Sequence, residues 1–179
     1  MPQPDPDRAA GPLGTRATSR DDIPTDEPAG SELIVRSAAF SDHTLIPDRY
    51  SYEGENVSPP LEWSEPPDGT AELVLLCEDR DAPTGTFVHW VVTGIRPDTT
   101  GAEEGSLPAG ASAARNGFGK PGWGGPRPPV GDEPHRYFFR LHAVDQPVSV
   151  GDQPTAEQVR AALEGHTLAT GTLVGTFGR

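Results

Sequence analysis

Four stretches of the chain concentrate large apolar residues, and each has the length and composition of a β-strand. Glu72–Glu78 (ELVLLCE) is a continuous apolar run, long enough for a strand covered on both faces and too short for a typical helix. Thr86–Ile95 (TFVHWVVTGI) and His135–Val144 (HRYFFRLHAV) are rich in β-branched and aromatic residues, which pack well on a pleated surface. Leu168–Phe177 (LATGTLVGTF) is a weaker version broken by glycines. Leu33–Ser37 and Leu61–Trp63 predict short strands. One helix is indicated where Thr155-x-x-Gln158 forms a capping-box pattern, followed by an apolar stripe of Val159, Ala162 and Leu163, with Gly165 as the stop. Many strands separated by Gly and Pro turns, with one or two short helices, predict an all-β fold, a β-sandwich with Greek-key connections. Strict alternation along Thr86–Ile95 puts His89 on one face with Phe87 and Val91, and Trp90 on the other face, in the core.

The pattern is absent at the start. Residues 1–31 contain Pro2, Pro4, Pro6, Pro12, Pro24 and Pro28, no aromatic residue, and only Leu13 and Ile23 as large aliphatics. Such a segment buries too little apolar area to offset the entropy of ordering it, which predicts a disordered acidic tail followed by one domain over residues 32–179. Residues 98–134 hold nine Gly and six Pro between predicted strands, together with Phe118, Lys120 and Trp123. A connection that long predicts an ordered surface loop that rims a site.

Charge narrows the function classes. The 179 residues carry 14 Lys and Arg against 27 Asp and Glu, a net charge of −13. That balance disfavours nucleic acid as a partner, because backbone affinity is cationic, and disfavours adhesion to an anionic membrane. A single cysteine, Cys77, excludes an internal disulfide and a cysteine-built zinc site. No apolar run reaches the ~18–20 residues that span a bilayer. Met1–Ala10 lacks the basic start and apolar stretch of a secretory signal, so the expectation is a cytoplasmic protein.

Polar residues beside the predicted strands supply the candidate chemistry. Asp79-Arg80-Asp81-Ala82-Pro83-Thr84-Gly85 follows the buried-strand pattern directly, and extended geometry sends Asp79 and Asp81 to the same side. Ala82–Pro83 is a candidate cis bond; the run also reads as a plain polar turn. His89, inside an apolar strand, must find hydrogen-bond partners in the core or open onto a pocket. His135 and Tyr137 share a face at the start of a later strand, where they serve either a site or a solvated strand end. If these strand ends converge, the site holds two imidazoles, a phenol and one or two carboxylates, an inventory suited to a small zwitterion with a phosphate and an amine. No HxH or HExxH spacing supports a metal, and no cofactor motif occurs. Gly117-Phe118-Gly119-Lys120 fails the Walker pattern at Ala114 and Pro121, and no GxSxG elbow is present. A hydrolase using His89 or His135 as general base lacks an evident activated nucleophile.

Four stretches together resemble the phosphatidylethanolamine-binding proteins, in their bacterial Raf-kinase-inhibitor-like branch. They are Glu55–Trp63 (ENVSPPLEW), Asp79–Gly85 (DRDAPTG), Val88–Val92 (VHWVV), and Gly125–Pro129 (GPRPP) leading to His135-Arg136-Tyr137. The ending from Leu168 to Gly178 is similar too. The resemblance covers about residues 33–179 and implies that family's Greek-key β-sandwich with a small anion pocket at one edge. It implies that Asp79, His89, His135 and Tyr137 line the pocket, with Asp81 and the Pro128-Pro129 turn shaping it. The imidazoles would donate to phosphate, acetate or a phosphoethanolamine head group, and Asp79 would accept from an amine or orient an imidazole. The implied role is binding and regulatory, with a homodimer as the expected assembly. The alternative role is inhibition of a kinase or protease through the pocket rim and the 98–134 loop.

Overall fold

The computed structural model describes residues 31–179. The tail expected over residues 1–31 lies outside the described residues except at Ser31, which opens the first strand. In chain order the strands are β1 (Ser31–Glu32), β2 (Val35–Arg36), β3 (Thr44–Leu45), β4 (Leu61–Trp63), β5 (Glu72–Asp79), β6 (Phe87–Ile95), β7 (Gly101–Ala102), β8 (Ser112–Ala113), β9 (His135–Val144) and β10 (Thr167–Phe177); helix α1 (Ala156–Leu163) precedes β10. The larger sheet runs β1-β10-β9-β5-β6-β8, with β3 also paired to β10, and the smaller runs β2-β4-β7. Within the larger sheet the successive strands β5, β6, β8 and β9 lie in the spatial order β9-β5-β6-β8, so the fourth returns beside the first. That is the Greek-key order the sequence predicts.

Burial follows from a sheet covered on both faces. Every residue of β5 is buried, as its unbroken apolar run requires. On one face Val35, Leu61 and Trp63 of the small sheet pack with Leu73, Leu75, Trp90, Phe139 and Leu141 of the large one. On the other, Val74, Leu76, Val91 and Val144 receive Ala156, Val159 and Leu163 of the helix. Each such aliphatic side chain withdrawn from water contributes about 1.5–3 kcal/mol. The helix begins at the expected capping box: Gln158 N–H donates to the Thr155 hydroxyl at 3.2 Å, and Thr155 N–H donates to the Gln158 side chain at 2.9 Å. At the edge of the sandwich the chain passes from β1 to β2 directly over Gly171, where a Cβ would collide with the Leu33 carbonyl. The glycine that interrupts this strand pattern is therefore required by a close backbone approach.

The alternation expected along β6 breaks twice: between Val92 and Ile95, which face Leu75 and Leu73, and again at His89. Cys77 lies opposite Trp90 and Glu78 opposite Val88, so His89 is an extra residue, a β-bulge. Trp90 is buried, 1% exposed, in the core between the two sheets. It does not, however, lie on the face opposite His89. The imidazole packs against Tyr137 of that same core, with ring centroids 5.2 Å apart, while Val91 turns to the helix side. The bulge places two consecutive residues on one face and re-aims His89 towards β9.

The Ala82–Pro83 bond, a candidate for cis, is trans, as are all peptide bonds of the described residues. Ala82 to Gly85 closes a turn in which Gly85 N–H donates to the Ala82 carbonyl at 3.1 Å. Proline in its second position suits an ordinary trans turn, so no cis bond is needed. The loop over residues 98–134 is ordered by β7 and β8 and by side-chain ties: Tyr50 hydrogen-bonds Glu104, and the Trp123 indole N–H donates to the Tyr50 carbonyl at 3.1 Å.

Candidate functional site

One end of the larger sheet collects most of the predicted polar residues. Asp79, the last residue of β5, lies in register between Tyr137 of β9 and Phe87 of β6. Its carboxylate is buried and accepts twice: Oδ2 from His135 Nδ1 at 2.7 Å and Oδ1 from the Asp81 N–H at 2.8 Å. The 79–81 contact curls the chain out of the strand, so the period-two expectation does not extend to Asp81. The Asp81 carboxylate instead meets Arg136 in a two-point fork, 3.0 Å from Nε and 3.0 Å from Nη2, and accepts from the Arg136 N–H at 2.8 Å. The Arg136 hydrogen bond is the main reason the Asp81 carboxyl sits below its usual range; burial opposes it. Arg80 faces away, its guanidinium 4.7 Å over the Phe138 ring.

Both nitrogens of His135 face carboxylates, because Nε2 lies 3.1 Å from Asp132 Oδ2. Burial by itself would lower the pKa of this ring. The hydrogen bonds to Asp79 and Asp132 outweigh it, and the net displacement is upward. Asp132 arrives through a turn that starts at Pro129, whose carbonyl accepts from the Asp132 N–H at 3.3 Å. The Pro128 carbonyl accepts from Arg179 Nε at 2.7 Å, which fastens the Pro128-Pro129 turn to the end of the chain. An open depression of ≈ 450 Å³ is bounded by Asp81, Asp132, Glu133, Pro134, His135 and Arg136. Asp79, His89 and Tyr137 are buried and are not among its walls.

His89 has the opposite character. Its Nδ1 donates to the Gly124 carbonyl at 2.6 Å, so in the neutral ring Nε2 is the unprotonated nitrogen. Burial lowers its pKa despite the Gly124 carbonyl and the Asp79 charge, so the ring is neutral at pH 7 with Nε2 as acceptor. Phe87 and Phe118 pack on it with centroids at 4.9 and 5.8 Å. The carbonyl that orients it sits in a glycine pair. At Gly125 a Cβ would run into the Tyr50 carbonyl, and the Gly125 N–H donates to the Asn56 side chain at 2.8 Å. Between the two imidazoles stands Tyr137, fully buried, whose hydroxyl lies beside the Asp79 carboxylate without a hydrogen bond of good geometry. Burial first, and the Asp79 charge second, push this phenol upward.

The four residues predicted to converge therefore form one contiguous chain, His89–Tyr137–Asp79–His135. Sequence reasoning missed Asp132 and Gly124. The Asp-x-x-His spacing of Asp132 and His135 was the available signal for the first. Among the described residues no group of three or more His, Cys, Asp and Glu is placed to hold a metal ion.

Comparison with known proteins bears on the family and the fold. A family model described as phosphatidylethanolamine-binding protein matches residues 36–178. A UPF0098 protein of Methanothermobacter thermautotrophicus is 43% identical over 152 residues, covering 82% of this chain and 99% of its own. A Mycobacterium tuberculosis protein whose name marks it as a candidate lipoprotein, LppC, is 41% identical over 172 residues, covering 95% of this chain and 84% of its own. Among solved structures, a phosphatidylethanolamine-binding protein homologue of Chlamydia trachomatis, CT736, superposes with a TM-score of 0.77 at 36% identity, covering 83% of this chain and 98% of its own. YbcL of Escherichia coli, described as a member of the mammalian family, superposes with a TM-score of 0.78 at 29% identity, covering 83% and 99%.

Proposed function

The chain belongs to the phosphatidylethanolamine-binding protein family, and from that premise we propose that it binds a small anion or a phosphorylated head group at the His89–Tyr137–Asp79–His135 cluster, without turning it over. The observation that carries this reading is the Tyr137 hydroxyl. It is fully buried, makes no well-formed hydrogen bond although the Asp79 carboxylate lies beside it, and sits between the His89 ring and the Asp79–His135 pair. Buried polar groups are ordinarily well satisfied, so a hydroxyl left without a well-formed bond in such company favours a polar ligand that completes it. The roles differ between the rings. His135, with a carboxylate at each nitrogen, is the ring that holds a proton more readily. Neutral His89 presents a lone pair at Nε2, so it receives a ligand O–H or N–H, or takes up a proton before it donates to an anion.

Binding without catalysis is part of the proposal, and the one thiol of the chain suits it. Cys77 is buried in β5, and burial raises its thiol well above the usual range. Isothermal calorimetry with inorganic phosphate and with phosphoethanolamine tests the proposal. One saturable site that is lost in Tyr137→Phe and in His135→Ala, with both ligands recovered unchanged, supports it. Heats that do not saturate, or binding that both variants retain, overturn it. A cytoplasmic location belongs to the same proposal. Among the described residues no helix is long and apolar enough to cross a membrane, and fractionation of cells producing the full chain distinguishes a soluble from a membrane-attached form.

A further inference from the structure

The approach to His135 from solvent is already occupied. The ring is buried, its inner nitrogen is held by Asp79, and its outer nitrogen faces Asp132 at 3.1 Å. Asp132 is 41% exposed and forms part of the wall of the open depression beside the ring. Glu133 stands next to it on the same wall. The guanidinium on that wall, Arg136, is engaged by Asp81 on both arms of its fork. An incoming anion that seeks the outer edge of His135 therefore meets a resident carboxylate in the position it would take, with further negative charge beside it.

We propose that Asp132 is the specificity-determining residue of this site: its carboxylate holds the outer nitrogen of His135 as an internal stand-in for the ligand's anion, and a simple anion binds only by displacing it. This deepens the anion-binding reading and rests on it. The physical basis is direct. Two like charges cannot share one imidazole edge at hydrogen-bond distance, so the ligand's affinity is reduced by the work of moving Asp132 aside and by repulsion from it afterwards. The turn geometry makes displacement feasible. Asp132 is three residues before His135 on an exposed loop, and its side-chain rotation disturbs no core packing. The arrangement also separates the two carboxylates on this ring: Asp79, buried and doubly hydrogen-bonded, orients it, whereas Asp132 competes for it.

The test is the affinity of the full chain for inorganic phosphate, by calorimetry at pH 7, in wild type, Asp132→Asn and Asp132→Glu. Removing the competing charge is expected to tighten phosphate binding by about tenfold in Asp132→Asn, on the scale of one unit charge at close range in a partly solvated site. Asp132→Glu, which keeps the charge, is expected to stay within about threefold of wild type on the same scale. A residue that served only to brace the loop would give weaker binding on substitution, so a gain separates competition from support. A second readout needs no ligand: the His135 ring, followed by NMR, is expected to titrate at lower pH in Asp132→Asn. Phosphate affinity unchanged or weakened in Asp132→Asn overturns the inference, as does an unmoved His135 titration. Failure of both wild type and Asp132→Asn to bind phosphate overturns the anion-site reading itself, which is a different result.

Discussion

Replacing Asp79 by Asn tests whether the buried carboxylate organises the site. In the native protein both oxygens accept, one from His135 Nδ1 at 2.7 Å and one from the Asp81 N–H at 2.8 Å, and the Asp79 and His135 side chains are each only 5% exposed. Asparagine keeps the shape and one acceptor but presents N–H₂ where the second acceptor stood. His135 can adapt by shifting its proton to Nε2, where Asp132 accepts it, so the loss is that of a charge-assisted hydrogen bond, about 1.5–3 kcal/mol. Asp79→Ala leaves both donors stranded and is expected to cost about 3–5 kcal/mol, the range for breaking a buried pair. For a chain of this size each kcal/mol moves the melting temperature by about 2–4 °C. The loss also depends on pH. The native pKa of His135 is raised above its unfolded value, so the stability it contributes is fully present below about pH 6.5 and is lost as pH rises through the raised native value. Urea unfolding followed by the fluorescence of Trp63, Trp90 and Trp123 is therefore expected to show a larger gap between wild type and Asp79→Asn at pH 6 than at pH 9. A gap below about 0.5 kcal/mol at both pH values, the range of an ordinary surface change, refutes the reasoning; so does a gap that widens with pH.

Other outcomes follow from the same geometry. Phosphate affinity is expected to fall in two separate steps as pH rises, one below the ordinary histidine range near ~6.5 as His89 loses its proton and one above it as His135 does. Calorimetry across pH 5 to 9 reads this, and a flat profile removes both rings as charged donors. Gly125→Ala forces a methyl group towards the Tyr50 carbonyl and is expected to destabilise by about 1–3 kcal/mol in chemical denaturation. It is also expected to weaken phosphate binding, because the adjacent Gly124 carbonyl orients His89; a variant with wild-type stability and affinity contradicts the close packing of this turn.

The legible parts of the fold are those where hydrophobic period decides the conformation. The His135–Val144 and Leu61–Trp63 strands coincide with their expected bounds, and the helix starts at its capping box, because each has a local signal that tertiary packing reinforces. β7 and β8 had none: two-residue pairings inside a Gly- and Pro-rich loop have no period, and only the neighbouring strands make them strands. The bulge at His89 was invisible for a related reason. An inserted residue leaves the composition of VHWVV unchanged and alters only the register with β5, a property of two strands at once. The site divides the same way. Asp79, His89, His135 and Tyr137 lie on or beside predicted strands and within the stretches that carry the family resemblance, and the register of β5, β6 and β9 explains why they meet. Asp132 was overlooked because its contact is made by a turn, where an acidic residue ordinarily reads as turn chemistry and solvation.

Imidazole NMR during a phosphate titration addresses the central claim most directly, since the chain has only five histidines. Burial, with Arg140 and Arg160, holds His142 down to about 4, and both it and His166 lie towards the far end of the β9–β10 pair, so they act as internal references. The account predicts that phosphate shifts the ring signals of His89 and His135 together, along one saturating curve, and leaves those of His142 and His166 in place. Saturable shifts at His43 or His166 with His89 and His135 unmoved would place the anion elsewhere and contradict it.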